Sequence, residues 1–175
     1  MNPWDAKIEF INYLRNNNNN KYFKKWVVDG NNRGYGKQKN YIELLLLADE
    51  QEDMIDRYID KGKMYVLDDN GIKCECVVID VGNGVLEIKN IATVPEYQGK
   101  GYAKAMIDFI ITKYREEYST LQVGTGDSPM TIPFYEKCGF VRSHIVPNFY
   151  TDNYDHPIYE GGIQLVDMVY LRRSF

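Results

Sequence analysis

Apolar side chains at Ala103, Met106, Ile107, Ile110, Ile111 and Tyr114 step by three, one, three, one and three residues. That spacing keeps all six on one stripe of a 3.6-residue helix, and it predicts a helix starting near Gly101. Upstream, Met64 to Leu67, Lys73 to Val81 and Val85 to Val94 have the short apolar pattern of strands. They are separated by Asp68-Asp69-Asn70-Gly71 and Gly82-Asn83-Gly84, turn sequences of the hairpin kind, so an antiparallel meander is predicted. Before it, Ile42 to Ala48 consists of strong helix formers. It runs into Asp49 to Asp60, where Met54, Ile55, Tyr58 and Ile59 recur at helical spacing ahead of Gly62, a helix pair. Downstream, Thr120 to Val123 reads as a short strand and Ile132 to Lys137 as a short helix ended by Gly139 in a left-handed cap. Phe140 to Val146 and Gln164 to Leu171 read as two last strands.

The first 40 residues differ from the rest. Trp4 to Leu14 carries Ile8 and Ile11 at helical spacing, and Tyr22 to Val28 has strand character. The Asn16 to Asn20 run and Gly30, Asn31, Asn32, Gly34 and Gly36 break any long element. We therefore divide the chain into an N-terminal segment, 1–40, a candidate for the first strand, and one domain over 41–175. No internal repeat is visible.

With 175 residues and 44% hydrophobic content, the chain suffices for one well-buried core. Twenty-one Lys and Arg against 25 Asp and Glu leave a net charge of −4 and no strongly basic run, which argues against a nucleic-acid partner. An acidic surface suits a cationic ligand instead. The longest apolar runs, Leu44 to Ala48 and Val77 to Ile79, fall far short of the ~20 residues that span a bilayer. No secretion signal opens the chain, so a cytoplasmic protein without a membrane partner is expected. Cys74, Cys76 and Cys138 have no CxxC or HxxxH around them, so buried thiols are expected and neither a disulfide framework nor a metal site.

Candidate chemistry concentrates at three places. After Val94-Pro95, a loop bearing Gly99 and Gly101 leads directly into the helix. Such a junction lets backbone N–H groups converge on a phosphate while the helix N-terminus adds about half a positive charge. Lys100 and Lys104 add full charges. On the strand from Leu86 to Val94, strict alternation would set the apolar even-numbered positions on one face and Glu87, Lys89, Ile91 and Thr93 on the other. Glu87 is then either a base in a wet cleft or half of an exposed ion pair with Lys89. Tyr135 lies on the short helix after Val123-Gly-Thr-Gly-Asp-Ser128. A phenol, pKa near ~10, can protonate a departing thiolate whose acid has a pKa near ~8.5, although a helical Tyr in a chain with 15 Tyr is more often packing. Ser128 and Thr131 serve equally as the cap of that helix.

The segment Gln98-Gly-Lys-Gly-Tyr-Ala103 resembles the Gln/Arg-x-x-Gly-x-Gly/Ala acetyl-CoA signature of the GNAT superfamily of N-acetyltransferases, and Phe134-Tyr-Glu-Lys-Cys-Gly-Phe140 resembles its second hallmark. The resemblance covers roughly 41–175, with its bacterial members nearest. It implies an α/β (α+β) fold with a mixed, mostly antiparallel sheet of six to seven strands flanked by helices. It also implies transfer of an acetyl group from acetyl-CoA to a primary amine in a ternary complex, with no metal. By position, Gln98, Gly99, Lys100, Gly101, Tyr102 and Ala103 would cradle the pyrophosphate. The backbone of Ile91, Ala92 and Thr93 would pair with the pantetheine, an N–H near Ile91 polarising the thioester oxygen. Glu87 matches the family's general base and Tyr135 its general acid. Ser128 stands where many relatives carry an Asn that contacts the cofactor. The acceptor is a small-molecule or peptide amine. A non-catalytic acyl-CoA sensor, a protein N-terminal or lysine acetyltransferase, and a homodimer all remain open on this reading.

Overall fold

The structure, a computed structural model, describes Lys25–Asp29 and residues 41–175. The helical spacing at Trp4 to Leu14 and the Asn16 to Asn20 run lie outside the described residues. In chain order the elements are β1 (Lys25–Asp29), α1 (Ile42–Leu45), α2 (Glu52–Asp56), β2 (Lys63–Asp68), β3 (Ile72–Asp80) and β4 (Val85–Thr93). A 3₁₀ turn (Pro95–Tyr97) leads to α3 (Tyr102–Tyr114), β5 (Thr120–Gly126), α4 (Ile132–Lys137), β6 (Val141–Val146) and α5 (Phe149–Asn153). The chain ends with β7 (Tyr159–Glu160), β8 (Ile163–Gln164) and β9 (Met168–Ser174).

Seven strands form one sheet in the order β1-β2-β3-β4-β5-β9-β6, in which only β4 and β5 run parallel. A parallel pair needs a long crossover, and α3 supplies it. The expected mixed, mostly antiparallel sheet is therefore present, and so is the β2-β3-β4 meander. Because helices cover both faces, β2 and β3 are buried at consecutive positions rather than alternate ones. Tyr65, Leu67, Cys74, Cys76 and Val78 pack with Met106, Ile107, Ile110 and Tyr114 of α3. On the opposite face Met64, Val66 and Val77 meet Leu45, Ile55, Tyr58 and Ile59 from the α1–α2 region. The predicted stripe of α3 faces the core and is widened by Phe109, whose ring lies edge-on to Tyr65 at 5.2 Å. All three thiols are free and buried, as expected.

The last third of the chain departs from expectation. The strand predicted from Gln164 to Leu171 is broken: Ile163–Gln164 forms a separate two-residue ribbon with Tyr159–Glu160, and β9 begins only at Met168. An apolar run of strand length does not reveal that its first half belongs to another pairing. The helix α5 has no counterpart in the sequence pattern, since five residues are too few for a periodic signal. At α4 the boundary residue is Thr131, yet neither candidate caps the helix through its side chain, and Ser128 Oγ instead accepts from the Met130 N–H at 3.0 Å.

Ile110 is fully buried at the centre of the α3 stripe. Replacing it with Ala should cost about 2–5 kcal/mol, the range for large-to-small core changes that leave a cavity. Urea unfolding should show the midpoint lowered and the slope unchanged.

Candidate active site

One extra residue in β4 organises the site. Val78 faces Ile88 but Val77 faces Asn90, so Lys89 is a bulge opposite a single step of β3. Beyond it the strand's alternation is reversed. Ile91 joins Leu86 and Ile88 against the α3 core, while Asn90 turns to the α1–α2 side and donates to Leu45 O at 3.0 Å. The sequence reading that grouped Ile91 and Thr93 with Glu87 is corrected accordingly, because strict period two does not hold across a bulge.

The parallel pairing of β4 with β5 stops at the same point. It spans Val85–Ile88 against Thr120–Val123, after which β4 continues held only by β3 and β5 continues held only by β9. The two strands diverge into a wedge. Val94 N–H donates to Lys73 O at 2.9 Å, and antiparallel alternation then turns the backbone of residues 94, 92 and 90 toward β3. The N–H and C=O of Ile91 and Thr93 point the other way, into the wedge. Gln98 Nε2 reaching Thr93 O at 3.2 Å fits that orientation. Ala92 contributes no backbone group to the wedge, since its own belong to the β3 ladder.

At the mouth of the wedge the 3₁₀ turn leads into the glycine loop. Gly99 and Gly101 have φ of 71° and 87°, and a Cβ on either would meet nothing within 4 Å. Glycine is required here by backbone conformation, leaving open space in front of the loop. The first intrahelical hydrogen bond runs from Ala105 N to Gly101 O, so the amides of the first turn are presented outward. Gln98, Gly99, Lys100 and Gly101 are exposed, and Tyr102 is pinned by its hydroxyl to Asp69 at 2.9 Å. The arrangement has open donors and positive charge, the chemistry an anionic phosphate group needs.

Glu87 is buried on the opposite side of the sheet from α3. Lys89 Nζ donates to its Oε1 at 2.9 Å and Gln122 Nε2 to its Oε2 at 2.8 Å, and Gln122 in turn accepts from Arg172 Nε at 2.8 Å. The Glu87–Lys89 pair therefore exists, but in a cleft rather than on an open face. Tyr170, opposite Gly124 in the β5–β9 ladder, sits close enough to Glu87 that burial together with the carboxylate pushes its phenol up to about 12. A Cβ on Gly124 would meet Tyr170 Cε1 at 3.2 Å and Met168 Sδ at 2.6 Å, so glycine admits the Tyr170 ring. His144 stacks on that ring at 4.6 Å.

The α5 segment crosses this cleft as a strap. Tyr154 donates to Asp49 Oδ1 at 2.8 Å, Arg57 to Asn153 Oδ1 at 2.9 Å, and Asp155 N to Gln51 Oε1 at 3.1 Å, tying α5 to the α1–α2 side. Tyr58 donates to Asp49 Oδ2 at 3.4 Å. Burial raises the Asp49 carboxyl above its ordinary range and outweighs both phenol hydrogen bonds. Burial likewise raises the phenols of Tyr150 and Tyr154, with nearby carboxylates adding to it.

Tyr135 is buried between Phe134 and Phe140, and burial holds its phenol well above the usual range, so it is a proton carrier at neutral pH. It packs in the core on the α3 face of the sheet together with Cys138 and Phe140. Ser128 is buried nearby in sequence, at the end of β5. His156 stands apart, half exposed beside Asp155 and Glu50. Sequence reasoning missed Asp49, Gln122, Tyr170 and Arg172. Gln122 and Arg172 reach Glu87 only through the β4-β5-β9 register, which no local pattern states.

Residues 60–142 match the family model described as acetyltransferase (GNAT) domain. The chain is 35% identical over 132 residues to the uncharacterized N-acetyltransferase YvbK of Bacillus subtilis (strain 168), covering 74% of this chain and 85% of the relative. It superposes on a GNAT family acetyltransferase from Elizabethkingia anophelis with acetyl-CoA bound, at TM-score 0.77 and 31% identity over 87% of this chain and 98% of the other. It also superposes on a Bacillus subtilis acetyltransferase in complex with CoA, at TM-score 0.74 and 30% identity over 89% and 99%. With a splayed β4–β5 pair, a glycine loop opening α3 and these relatives, the chain belongs to the GNAT family of acetyltransferases.

Proposed function

We propose that the protein transfers an acetyl group from acetyl-CoA to the primary amine of a small molecule, both substrates being bound together at the wedge. The observation that carries this reading is the unpaired β4 edge at Ile91, set between the glycine loop and the buried Glu87. Solved relatives holding acetyl-CoA and CoA support the donor. The amides of Gln98 to Ala103, with Lys100, bind the pyrophosphate, and the edges of Ile91 and Thr93 pair with the pantetheine. Ser128 Oγ accepts from Met130, which leaves its own O–H as a donor to the cofactor.

The chemistry follows from where charge develops. The amine nitrogen bonds to the thioester carbon and the C–S bond breaks, the amine's proton passing to Glu87 through water. The Ile91 N–H donates to the thioester oxygen as negative charge builds on it. Tyr135 donates its O–H to the sulfur as thiolate charge develops, against a burial that makes its phenol a weaker acid than usual. The strap's hydrogen bonds to Asp49, Gln51 and Arg57 close the acceptor side over Glu87, which supports a small amine over a peptide threaded through an open groove.

Acetyl-CoA at a hundredfold excess over Kd should stabilise the protein by ~2.7 kcal/mol, seen as a raised melting temperature. Gly101→Val should remove this shift, read against the variant's own ligand-free melt, which should itself fall because valine is strained at the positive φ although its Cβ clashes with nothing. An unchanged shift would place the phosphates elsewhere.

Glu87→Gln should reduce turnover by about 10²-fold at neutral pH, and the deficit should shrink as pH rises and more of the amine arrives already deprotonated. A deficit independent of pH would make the Glu87–Lys89 pair structural. Tyr135→Phe keeps the ring packing and should lower turnover by about 10²-fold with little change in acetyl-CoA affinity. Wild-type turnover in that variant, measured where chemistry limits the rate, would assign the proton to solvent.

A further inference from the structure

Glu75 is the most deeply buried charged-type side chain among the described residues. It is fully buried in β3, and neither of its carboxyl oxygens has a hydrogen-bond partner. It lies opposite Val66 of β2 and Ala92 of β4, on the face covered by Leu45, Ile55, Tyr58 and Ile59. Diagonally across the ladder on the same face is Asn90, a second buried residue with an orphan acceptor, Oδ1. The Asn90 side chain is not free to turn. Its Nδ2 donates to Leu45 O at 3.0 Å, and a backbone carbonyl accepts only from a donor, so Oδ1 is directed away from it. Three buried acceptors thus stand on adjoining positions, none with a hydrogen-bond partner, an arrangement that costs several kcal/mol if the carboxyl is charged and unpaired.

We propose that Glu75 is held as a neutral carboxylic acid in the working enzyme, and that its O–H supplies the donor Asn90 Oδ1 lacks, directly or through one buried water, making Glu75 a positioning residue for the acceptor cleft. Asn90 Nδ2 also donates to the Tyr58 hydroxyl at 2.8 Å, and Tyr58 donates to Asp49, which holds Tyr154 of the strap. Lys89 Nζ lies 5.8 Å from the Tyr58 ring. Ionising Glu75 therefore loosens the residues that close the cleft over Glu87.

Burial pushes the Glu75 carboxyl up to about 8, and the nearby Ala92 amide, short of a proper hydrogen bond, offsets little of it. The groups that face it among the described residues do not compete for the proton. Tyr58, from the turn after α2, is kept neutral by its own burial, and α1 packs Ile42 and Leu45 on this face, with the phenol Tyr41 just before it. Val66 and Ala92 are apolar. Cys74 and Cys76, next in sequence, point to the α3 face and are likewise kept neutral by burial. The unfolded chain loses this proton near the ordinary 4.5 and the fold near about 8. Native stability therefore declines as pH rises between those values and is level above them.

Wild type, Glu75→Gln and Glu75→Ala test this. A carboxamide offers a donor and an acceptor as the neutral acid does, without titrating. We expect the wild-type melting temperature to fall relative to Glu75→Gln from pH 5 to 8, and the infrared carbonyl band of a protonated carboxylic acid to be present in the wild type at pH 7, gone by pH 9.5 and absent from Glu75→Gln. Neither readout depends on activity, so both stand whether or not the acetyl-transfer reading holds. The kinetic arm rests on that reading. There the amine KM should stay within about twofold in Glu75→Gln at pH 7 and rise about tenfold in Glu75→Ala. The wild-type KM should rise about tenfold against Glu75→Gln from pH 7 to 9, as the protonated fraction falls. A melting difference that does not change with pH, no acid band at pH 6, or a Glu75→Gln KM as impaired as that of Glu75→Ala would overturn the proposal.

Discussion

The bulge at Lys89 is the constraint on which the rest of the site depends. From Leu86 to Thr93 the strand reads Leu-Glu-Ile-Lys-Asn-Ile-Ala-Thr, and without an extra residue Asn90 would face the α3 core and Ile91 the polar cleft. Burying an amide among Met106 and Ile107 without partners would cost several kcal/mol. Two consecutive polar residues let the strand slip its alternation by one and put both side chains where their nitrogens find acceptors. The same slip ends pairing with β5, opens the wedge and leaves the Ile91 and Thr93 backbone edges unpaired. Side-chain placement and main-chain availability are set by a single insertion.

The parts of the fold legible from sequence were those with a local cause. The α3 stripe, the meander with its Asn-Gly and Gly-Asn-Gly turns, and the helix ending at Gly139 each follow from spacing or turn chemistry within about a dozen residues. The glycine loop was legible because its conformation demands glycine at two positions. What was lost depends on register. The Lys-Asn pair in β4 was a visible signal for the bulge, and treating the strand as strictly period two overrode it. The grouping of Glu87 with Gln122 and Arg172 comes from three strands whose order is 4-5-9, and nothing near Glu87 in sequence states that order. The strap's closure was not legible, because its partners Asp49, Gln51 and Arg57 lie about a hundred residues earlier.

Electrostatically, the two sides of the sheet are built for different tasks. The proposed donor side, at the glycine loop, is open and exposed and carries Lys100, so an anion there would gain from amides and a lysine without strong desolvation. The acceptor side is closed and holds Asp49, Glu75, Glu87 and several phenols, with burial opposing ionisation at Asp49, Glu75, Tyr58, Tyr150 and Tyr154. Glu87 differs from Glu75 in having Lys89 and Gln122 within hydrogen-bond distance, so its charge is met by full and partial positive charge while that of Glu75 is not. Two glutamates on one sheet face thus acquire opposite roles from their neighbours alone. The one with a cation beside it suits the transfer of a proton, and the one without suits holding one.

This division bears on why Asp49 is held by phenols rather than by salt bridges. Tyr58 and Tyr154 grip Asp49 with neutral donors, so no cation is spent on that carboxyl, and the strap's charged tie, Arg57, is directed to Asn153 instead. A lysine or arginine in either place would pair with Asp49 more strongly and cancel the negative potential that, on the proposed reading, favours an amine there. Phenol hydrogen bonds leave the carboxyl's charge to act outward, and their modest strength, about 1 kcal/mol each, lets the strap open for substrate exchange. The same choice makes the strap sensitive to whatever orients Tyr58, which is Asn90, one residue beyond the bulge.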